Sequence, residues 1–165
     1  MQGSIHRIFL WVYRCLPYYL RRKAHRLISP TFTVGALCLV TRDDGRMLLV
    51  HHYYRPGWGL PGGIVKRREQ VDNAARREVR EEIGLQVDLI GGPAVVVDPF
   101  QQKVDISYLA QASSGQDPYS IEINSPEIIE TRWFTIDEIK QLDDDDEIQI
   151  ETIGALKAHM LLVSP

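Results

Sequence analysis

The part of this sequence best suited to chemistry is a cluster of glutamates at helical spacing. Glu78, Glu81 and Glu82 are three and four residues apart, and a helix with 3.6 residues per turn places such positions on one face. Like charges at this spacing repel each other, and a divalent cation relieves that repulsion. Mg²⁺ prefers carboxylate, carbonyl and water oxygens, commonly together with substrate phosphates. The alternative is a solvated acidic helix whose glutamates pair with neighbouring arginines.

The residues around this cluster follow a defined pattern. Residues 63–85 read GIVKRREQVDNAARREVREEIGL. This segment fits G-x5-E-x7-R-E-U-x-E-E-x-G-U, where U is aliphatic, at every defined position. It resembles the Nudix box, and the complete match favours the metal-binding interpretation over the solvated helix.

The resemblance covers residues 33–142 and implies an α/β fold, a Nudix-type α/β/α sandwich with a mixed β-sheet. It implies hydrolysis of the diphosphate linkage in a nucleoside diphosphate joined to a further group, as in ADP-ribose, nucleotide sugars or NTPs. Mg²⁺ or Mn²⁺ is the expected cofactor, because divalent ions neutralise phosphate charge and lower the pKa of a bound water. The alternative is a non-catalytic module that senses nucleotides. Loss of a box carboxylate would be its usual mark, and none is lost here.

The resemblance also implies roles for individual residues. It makes Glu78, Glu81 and Glu82 the metal ligands; the alternative is that Glu81 or Glu82 instead helps to deprotonate the attacking water. It implies that Glu69 and Arg77 hold these ligands and the helix in place. A carbonyl group near Gly62 is expected to join the metal shell.

Residues outside the box are expected to complete the site. Glu127 lies six residues before Trp133, where the family often supplies one more carboxylate ligand; an exposed loop acid is the alternative. Arg55 is a candidate for binding a phosphate or a ribose-linked group. Nucleobases stack on aromatic side chains, and from the aromatic candidates we select Tyr53 and Trp58, with core packing as the alternative. The aromatic candidates are Tyr53, Tyr54, Trp58, Phe100 and Tyr108.

Composition excludes several classes of protein. The chain has 165 residues, 44% hydrophobic and 25% charged, with a formal charge of −3. This is ordinary for one globular domain and gives no support for DNA binding. Cys15 and Cys38 make no disulfide framework and no metal-ligand spacing, so we expect a cytoplasmic protein. The resemblance implies that its partner is a small nucleoside diphosphate derivative.

The N-terminal segment differs in charge from the rest of the chain, since the first acidic residue is Asp43. We predict an amphipathic, basic helical extension over residues 1–30, broken at Pro17, and a Nudix domain over residues 31–165. The apolar run at residues 8–13 is too short to span a bilayer. Three interpretations of residues 1–28 stay open: packing on the domain or a second subunit in a homodimer, weak contact with a membrane surface, or a lid.

Local patterns predict the elements that position the site. Asp43–Gly45 predicts a hairpin between the first two strands, and residues 91–93 predict a break. The Nudix box contains one predicted helix, here called the box helix, with Asp72 as its expected N-terminal cap and Gly84 as its end. Thr135 is predicted to begin another helix with a capping box. The predicted strands are residues 33–40, 47–51, 86–89, 94–97, 104–110 and 128–134, and the last helix is residues 147–162.

Overall fold

The computed structural model describes residues 29–159, together with residues 11, 14, 15, 17–21 and 23. The chain forms two compact units, Met1–Phe32 and Thr33–Pro165. In the first unit, residues on both sides of Pro17 are helical and Pro17 is not, as the proline predicts. The other predictions for residues 1–28 fall outside the described residues. Within the described part, no helix is both long and apolar enough to cross a membrane, and the cytoplasmic location stays a prediction.

The described part of the second unit contains both strands and helices. Its elements are β1 (Thr33–Val40), β2 (Met47–His52), β3 (Trp58–Gly59), β4 (Gly62–Ile64), α1 (Val71–Ile83), β5 (Val87–Asp98), β6 (Lys103–Ala112), β7 (Ile128–Phe134), α2 (Ile136–Asp144) and α3 (Ile150–Ala158).

Two sheets form the centre of this unit. The four-stranded sheet has the order β4-β1-β6-β5, and the three-stranded sheet has the order β3-β2-β7. The larger sheet is mixed, because β1 runs parallel to β6 and antiparallel to β4. All pairs in the smaller sheet are antiparallel.

Helices cover both faces of these strands. On β1, Ala36 and Cys38 belong to a core cluster that contains the apolar side of α1, whereas Leu39 belongs to a second cluster with residues of α2 and α3. Successive strand residues point to opposite faces, so the unbroken apolar sequence of β1 is explained by burial on both sides. The predicted α/β/α architecture on a mixed sheet is confirmed.

β1 and β2 do not form the predicted hairpin. The turn itself is present, since the Gly45 N–H donates to the Arg42 carbonyl at 2.9 Å. However, β1 pairs with β4 and β6 and β2 pairs with β3 and β7, leaving one bridge between Thr41 and Met47. Both strands are apolar on both faces, and each takes the interior position of a different sheet.

The predicted break at residues 91–93 is instead a bulge within one strand. β5 pairs with β6 from Val87 to Asp98, and the register shifts between Ile90 and Ala94. β5 is the edge strand of its sheet, where a proline that lacks an N–H disrupts no ladder bond on its open side. The glycines and the proline therefore bend the strand without ending it.

The box helix begins and ends close to the predicted positions. Asp72 is not its cap: Gln70 holds that position without a side-chain hydrogen bond, and Asp72 pairs with Arg76 at 3.1 Å. Gly84 ends the helix with a φ of 70°, as predicted. Thr135 and Glu138 form the predicted capping box at the start of α2.

The last helix begins three residues later than predicted, at Ile150. The residues before it lie along β3 instead, where the Trp58 N–H donates to the Glu147 carbonyl and the Gln149 N–H donates to the Trp58 carbonyl, both at 2.8 Å. The predicted end of this helix at residue 162 falls outside the described residues.

Candidate active site

A cavity of about 440 Å³ gathers residues from the box and from several strands. Its volume is in the range of small-molecule sites. The lining residues come from strands β1, β2, β4 and β6, from α1 and the start of α3, and from the loops between these elements. Those that could bind a ligand or an ion are His52, Tyr54, Arg55, Gly62, Gly63, Lys66, Glu78, Glu82, Lys103, Asp105, Glu127, Gln149, Glu151 and Thr152.

Glu82 is the most buried of the box glutamates, with 6% of its surface exposed. Its Oε2 accepts a hydrogen bond from the Gly62 N–H at 3.1 Å, and its Oε1 lies 3.9 Å from His52 Nε2. Burial raises the pKa of Glu82, while the neighbouring His52 and the Gly62 N–H act in the opposite direction. A carboxylate in this position gains strongly from any cation that comes within reach.

Glu78 lies against Gly63, the first residue of the box. A Cβ added to Gly63 would lie 2.6 Å from Glu78 Oε1, which is closer than two such atoms can approach. Any larger residue at position 63 would therefore displace the Glu78 carboxylate from the cavity wall. The glycine in the pattern has a steric reason in this structure.

Arg77 connects the carboxylates of the box. It forms a bidentate pair with Glu69 at 2.7 and 3.0 Å, and its Nη1 donates to Glu78 at 2.7 Å and to Glu81 at 3.0 Å. The Arg77 guanidinium lowers the pKa of Glu69 to about 2, and the three carboxylates raise the pKa of Arg77. Glu69 and Arg77 do not line the cavity and lie behind the residues that do.

Glu81 lies at the margin of the site. Its side chain is 47% exposed and does not line the cavity, and Lys66 Nζ is 3.7 Å from its Oε2. Glu78 and Glu81 thus share Arg77, while Glu82 bonds to the backbone. Within the described residues, no three His, Cys, Asp or Glu side chains are grouped closely enough to hold a metal ion.

Glu127 and Arg55, both selected from the sequence, line the cavity. The Tyr53 N–H donates to the Glu127 carbonyl at 2.8 Å, which holds the two loops together. Tyr53 itself is 79% exposed and does not line the cavity, whereas the adjacent Tyr54 does. Burial and the nearby Glu127 raise the pKa of Tyr54.

Trp58 also does not line the cavity. Its ring packs at 4.8 Å on Phe134 and at 5.5 Å on His51, within the second core cluster. This placement is the core-packing alternative that the sequence left open.

Sequence reasoning missed several residues of the cavity. His52 appeared ordinary, yet it lies beside Glu82. Lys103 and Asp105 come from β6 and Glu151 comes from the first turn of α3. The available signal was the two-residue spacing of Lys103 and Asp105, which places both on one face of a strand; nothing local pointed to Glu151.

Comparison with known proteins agrees with this geometry. The model of the NUDIX domain family matches residues 31–155. A MutT-like protein of Streptomyces ambofaciens is 27% identical over 123 residues, which are 74% of this chain and 77% of that protein. The NAD-capped RNA hydrolase NudC of Photorhabdus laumondii is 27% identical over 135 residues, which are 81% of this chain. The matched region covers only about half, 49%, of that relative's length.

Solved structures show the same fold. A NUDIX hydrolase from Nitrosomonas europaea superposes with a TM-score of 0.66 at 23% identity, over 81% of this chain and 72% of that one. An Ap4A hydrolase of C. elegans superposes with a TM-score of 0.56 at 21% identity, over 67% and 86% of the two chains. The family match covers most of the chain and includes the whole glutamate helix. The chain therefore belongs to the NUDIX domain family and is a Nudix hydrolase, of a class that generally uses divalent metal ions and acts on nucleotide derivatives.

Proposed function

We propose that this protein hydrolyses the diphosphate linkage of a nucleoside diphosphate derivative with the aid of Mg²⁺ or Mn²⁺. The observation that supports this most directly is the presence of Glu78, Glu82, Glu127 and Gly62 on the wall of one cavity of about 440 Å³. These residues come from a helix, a loop and a strand, and each offers an oxygen ligand of the kind that hard cations prefer.

The residues fit a divalent cation. Glu82 is a buried carboxylate whose pKa is raised by burial, so its charge is poorly compensated. The Glu78 carboxylate is held beside Gly63, where no side chain competes with it. We assign Glu78, Glu81 and Glu82 as ligands, with Glu127 and the Gly62 carbonyl completing the set. In this arrangement Glu78 and Glu81 would turn from Arg77 toward the ion.

When bound, the ion would neutralise the phosphate charge and lower the pKa of the attacking water. We assign proton acceptance from that water to Glu81, because it is half-exposed and close to the cavity rim, whereas Glu82 is buried and bonded to Gly62. We assign phosphate binding to Arg55, which lines the cavity. Glu69 and Arg77 act as positioning residues, because Arg77 bonds to Glu69, Glu78 and Glu81 at once.

The test is a substrate panel assayed with Mg²⁺ or Mn²⁺ and with chelator. The panel contains ADP-ribose, NTPs, nucleotide sugars, NAD and Ap4A; the last two are chosen because relatives are named for NAD-capped RNA and Ap4A. We expect metal-dependent turnover of at least one compound. Glu81→Gln should lower kcat by about 10²–10⁴-fold, as loss of a general base does. Glu130→Gln, an exposed glutamate on β7 outside the cavity, should leave kcat unchanged.

One outcome would favour the alternative, a non-catalytic nucleotide sensor. It is the absence of metal-dependent turnover for every compound, together with measurable binding of one of them. Equal metal-dependent turnover by the wild type and Glu81→Gln would instead contradict the assignment of Glu81 as the proton acceptor. The complete set of box glutamates argues against this alternative.

We further propose that residues 1–30 are a separate basic extension of the Nudix domain, residues 31–165, serving as a dimer contact or a membrane-surface contact. Removal of residues 1–28 should then change the oligomeric state or binding to anionic liposomes. No change in either property would contradict both roles.

A further inference from the structure

A second group of charged residues lines the cavity, and none of them belongs to the box. Lys103 and Asp105 project from the same face of β6, and Glu151 projects from the first turn of α3. Lys103 Nζ lies 3.1 Å from Asp105 Oδ2 and 2.8 Å from Glu151 Oε1. One ammonium group thus serves two carboxylates, and the Arg55 guanidinium on the same cavity wall also lowers the pKa of both.

Asp105 is not fully satisfied by this arrangement. The residue is 8% exposed, and its Oδ1 has no hydrogen-bond partner among the described residues. Buried polar atoms are almost always hydrogen-bonded, and an unmet one costs about 1–3 kcal/mol. Burial also raises the pKa of Asp105. An aspartate that only stabilised the fold would not be expected to leave an oxygen in this state.

The position of Oδ1 shows where a partner would come from. Gly35 on β1 is the register neighbour of Asp105 on β6, and a Cβ added to Gly35 would lie 2.4 Å from Oδ1. Thr33, Gly35 and Leu37 alternate along β1 and all line the cavity. The oxygen therefore lies over Gly35, on the face of the sheet that forms the cavity wall.

The chemistry of this group selects the ligand. A metal ion is disfavoured, because the Lys103 ammonium already lies between the two carboxylates. An anion is disfavoured at Oδ1, because an ionised carboxylate oxygen is itself negative and donates no hydrogen bond. A neutral group that donates hydrogen bonds fits, because an ionised carboxylate only accepts them and has lone pairs on both oxygens. A nucleoside offers such adjacent donors in two places: a base edge with a ring N–H next to an amino group, and the cis-diol of ribose.

We propose that Asp105 is a specificity-determining residue, whose carboxylate accepts hydrogen bonds from a pair of neighbouring donors on the nucleoside part of the substrate. Lys103 holds the carboxylate through Oδ2, and Gly35 leaves room for Oδ1 at the cavity wall. This inference rests on the proposed function, since it assigns the nucleoside to the same cavity that holds the diphosphate.

The test measures binding, by titration calorimetry without metal, of GMP, IMP and 2′-deoxy-GMP. IMP lacks the amino group of the guanine edge, and 2′-deoxy-GMP lacks one hydroxyl of the diol. We expect the wild type to bind GMP about 10- to 100-fold more tightly than one of these analogues, which is the range for a hydrogen bond to a charged group. If IMP binds more weakly than GMP, the group that Asp105 contacts is the base edge. If 2′-deoxy-GMP binds more weakly, that group is the ribose diol.

Variants connect that difference to Asp105. Asp105→Asn keeps the shape but replaces one acceptor with a donor, so it should remove the preference for GMP. Gly35→Ala should also weaken GMP binding, because its Cβ would displace the carboxylate without removing it. Asp88→Asn is the matched control: Asp88 is exposed on β5 of the same sheet, outside this cavity, and this variant should retain the preference.

The proposal is overturned if the wild type binds all three nucleotides equally or binds none at millimolar concentration. It is also overturned if Asp105→Asn retains the wild-type preference. The wild-type comparison requires no variant, so a failure of a variant to fold does not protect the proposal. Monophosphates contain no diphosphate, so this result is independent of the hydrolysis panel, and either proposal can fail while the other stands.

Discussion

Replacement of Arg77 by methionine should destabilise the metal-free protein by about 1.5–3 kcal/mol, the worth of one hydrogen bond to a charged group. The Arg77 side chain is 12% exposed and donates to Glu69, Glu78 and Glu81. These bonds are not expected to add, because none of the four residues is fully buried and water screens an ion pair that it can reach. Glu81 in particular is half-exposed and can turn to water when Arg77 is lost.

Urea unfolding near neutral pH measures this loss, as a lower midpoint with an unchanged slope. Arg77→Lys retains the charge but cannot form the bidentate pair with Glu69, so its loss should be intermediate. Arg80→Met is the matched control, because Arg80 is exposed on the same helix and such surface changes stay within about 0.5 kcal/mol. Mg²⁺ should stabilise the wild type, because a ligand that binds only the folded state stabilises it.

Two results would refute this reasoning. A loss for Arg77→Met below about 1 kcal/mol, the ordinary size of a single-site effect, would show that the glutamates do not depend on the guanidinium. A loss for Arg80→Met as large as that for Arg77→Met would show that the helix, rather than the carboxylate network, responds to loss of a positive charge.

Two further predictions concern the box helix. Burial raises the pKa of Glu82 above its ordinary value of 4.5, so the folded protein binds a proton at this carboxyl more readily than the unfolded chain does. The stability that protonated Glu82 contributes is therefore lost as pH rises from about 4.5 through the folded pKa. Glu82→Gln should therefore raise the metal-free thermal midpoint at neutral pH relative to the wild type, with a smaller difference in mild acid; an equal or lower neutral midpoint contradicts this. Gly84→Ala should cost about 1–2 kcal/mol, because an L residue is strained at a φ of 70° and its Cβ would lie 2.9 Å from Asn124 Nδ2; an unchanged urea midpoint would show that the helix end can rearrange.

The sequence by itself determined the features that depend on near neighbours. The spacing of Glu78, Glu81 and Glu82 predicts one helical face because the helical repeat is a local property. The end of that helix at Gly84 was predictable for the same reason, since the αL conformation favours glycine whatever surrounds it. The capping box at Thr135 also lies within four residues of chain. The resemblance of this local pattern to the Nudix box then predicted the fold and the reaction class.

The tertiary structure alone decided which distant residues share the cavity. Asp105 reaches it because β6 lies parallel to β1, and Glu151 reaches it because α3 packs near Lys103. Trp58 packs on Phe134 in the core, although its position in the sequence also allowed a substrate contact. Strand order and packing bring together residues far apart in the chain, and no local spacing encodes them. The box helix was therefore predictable from the sequence, whereas the residues proposed to bind the nucleoside could be identified only from the tertiary structure.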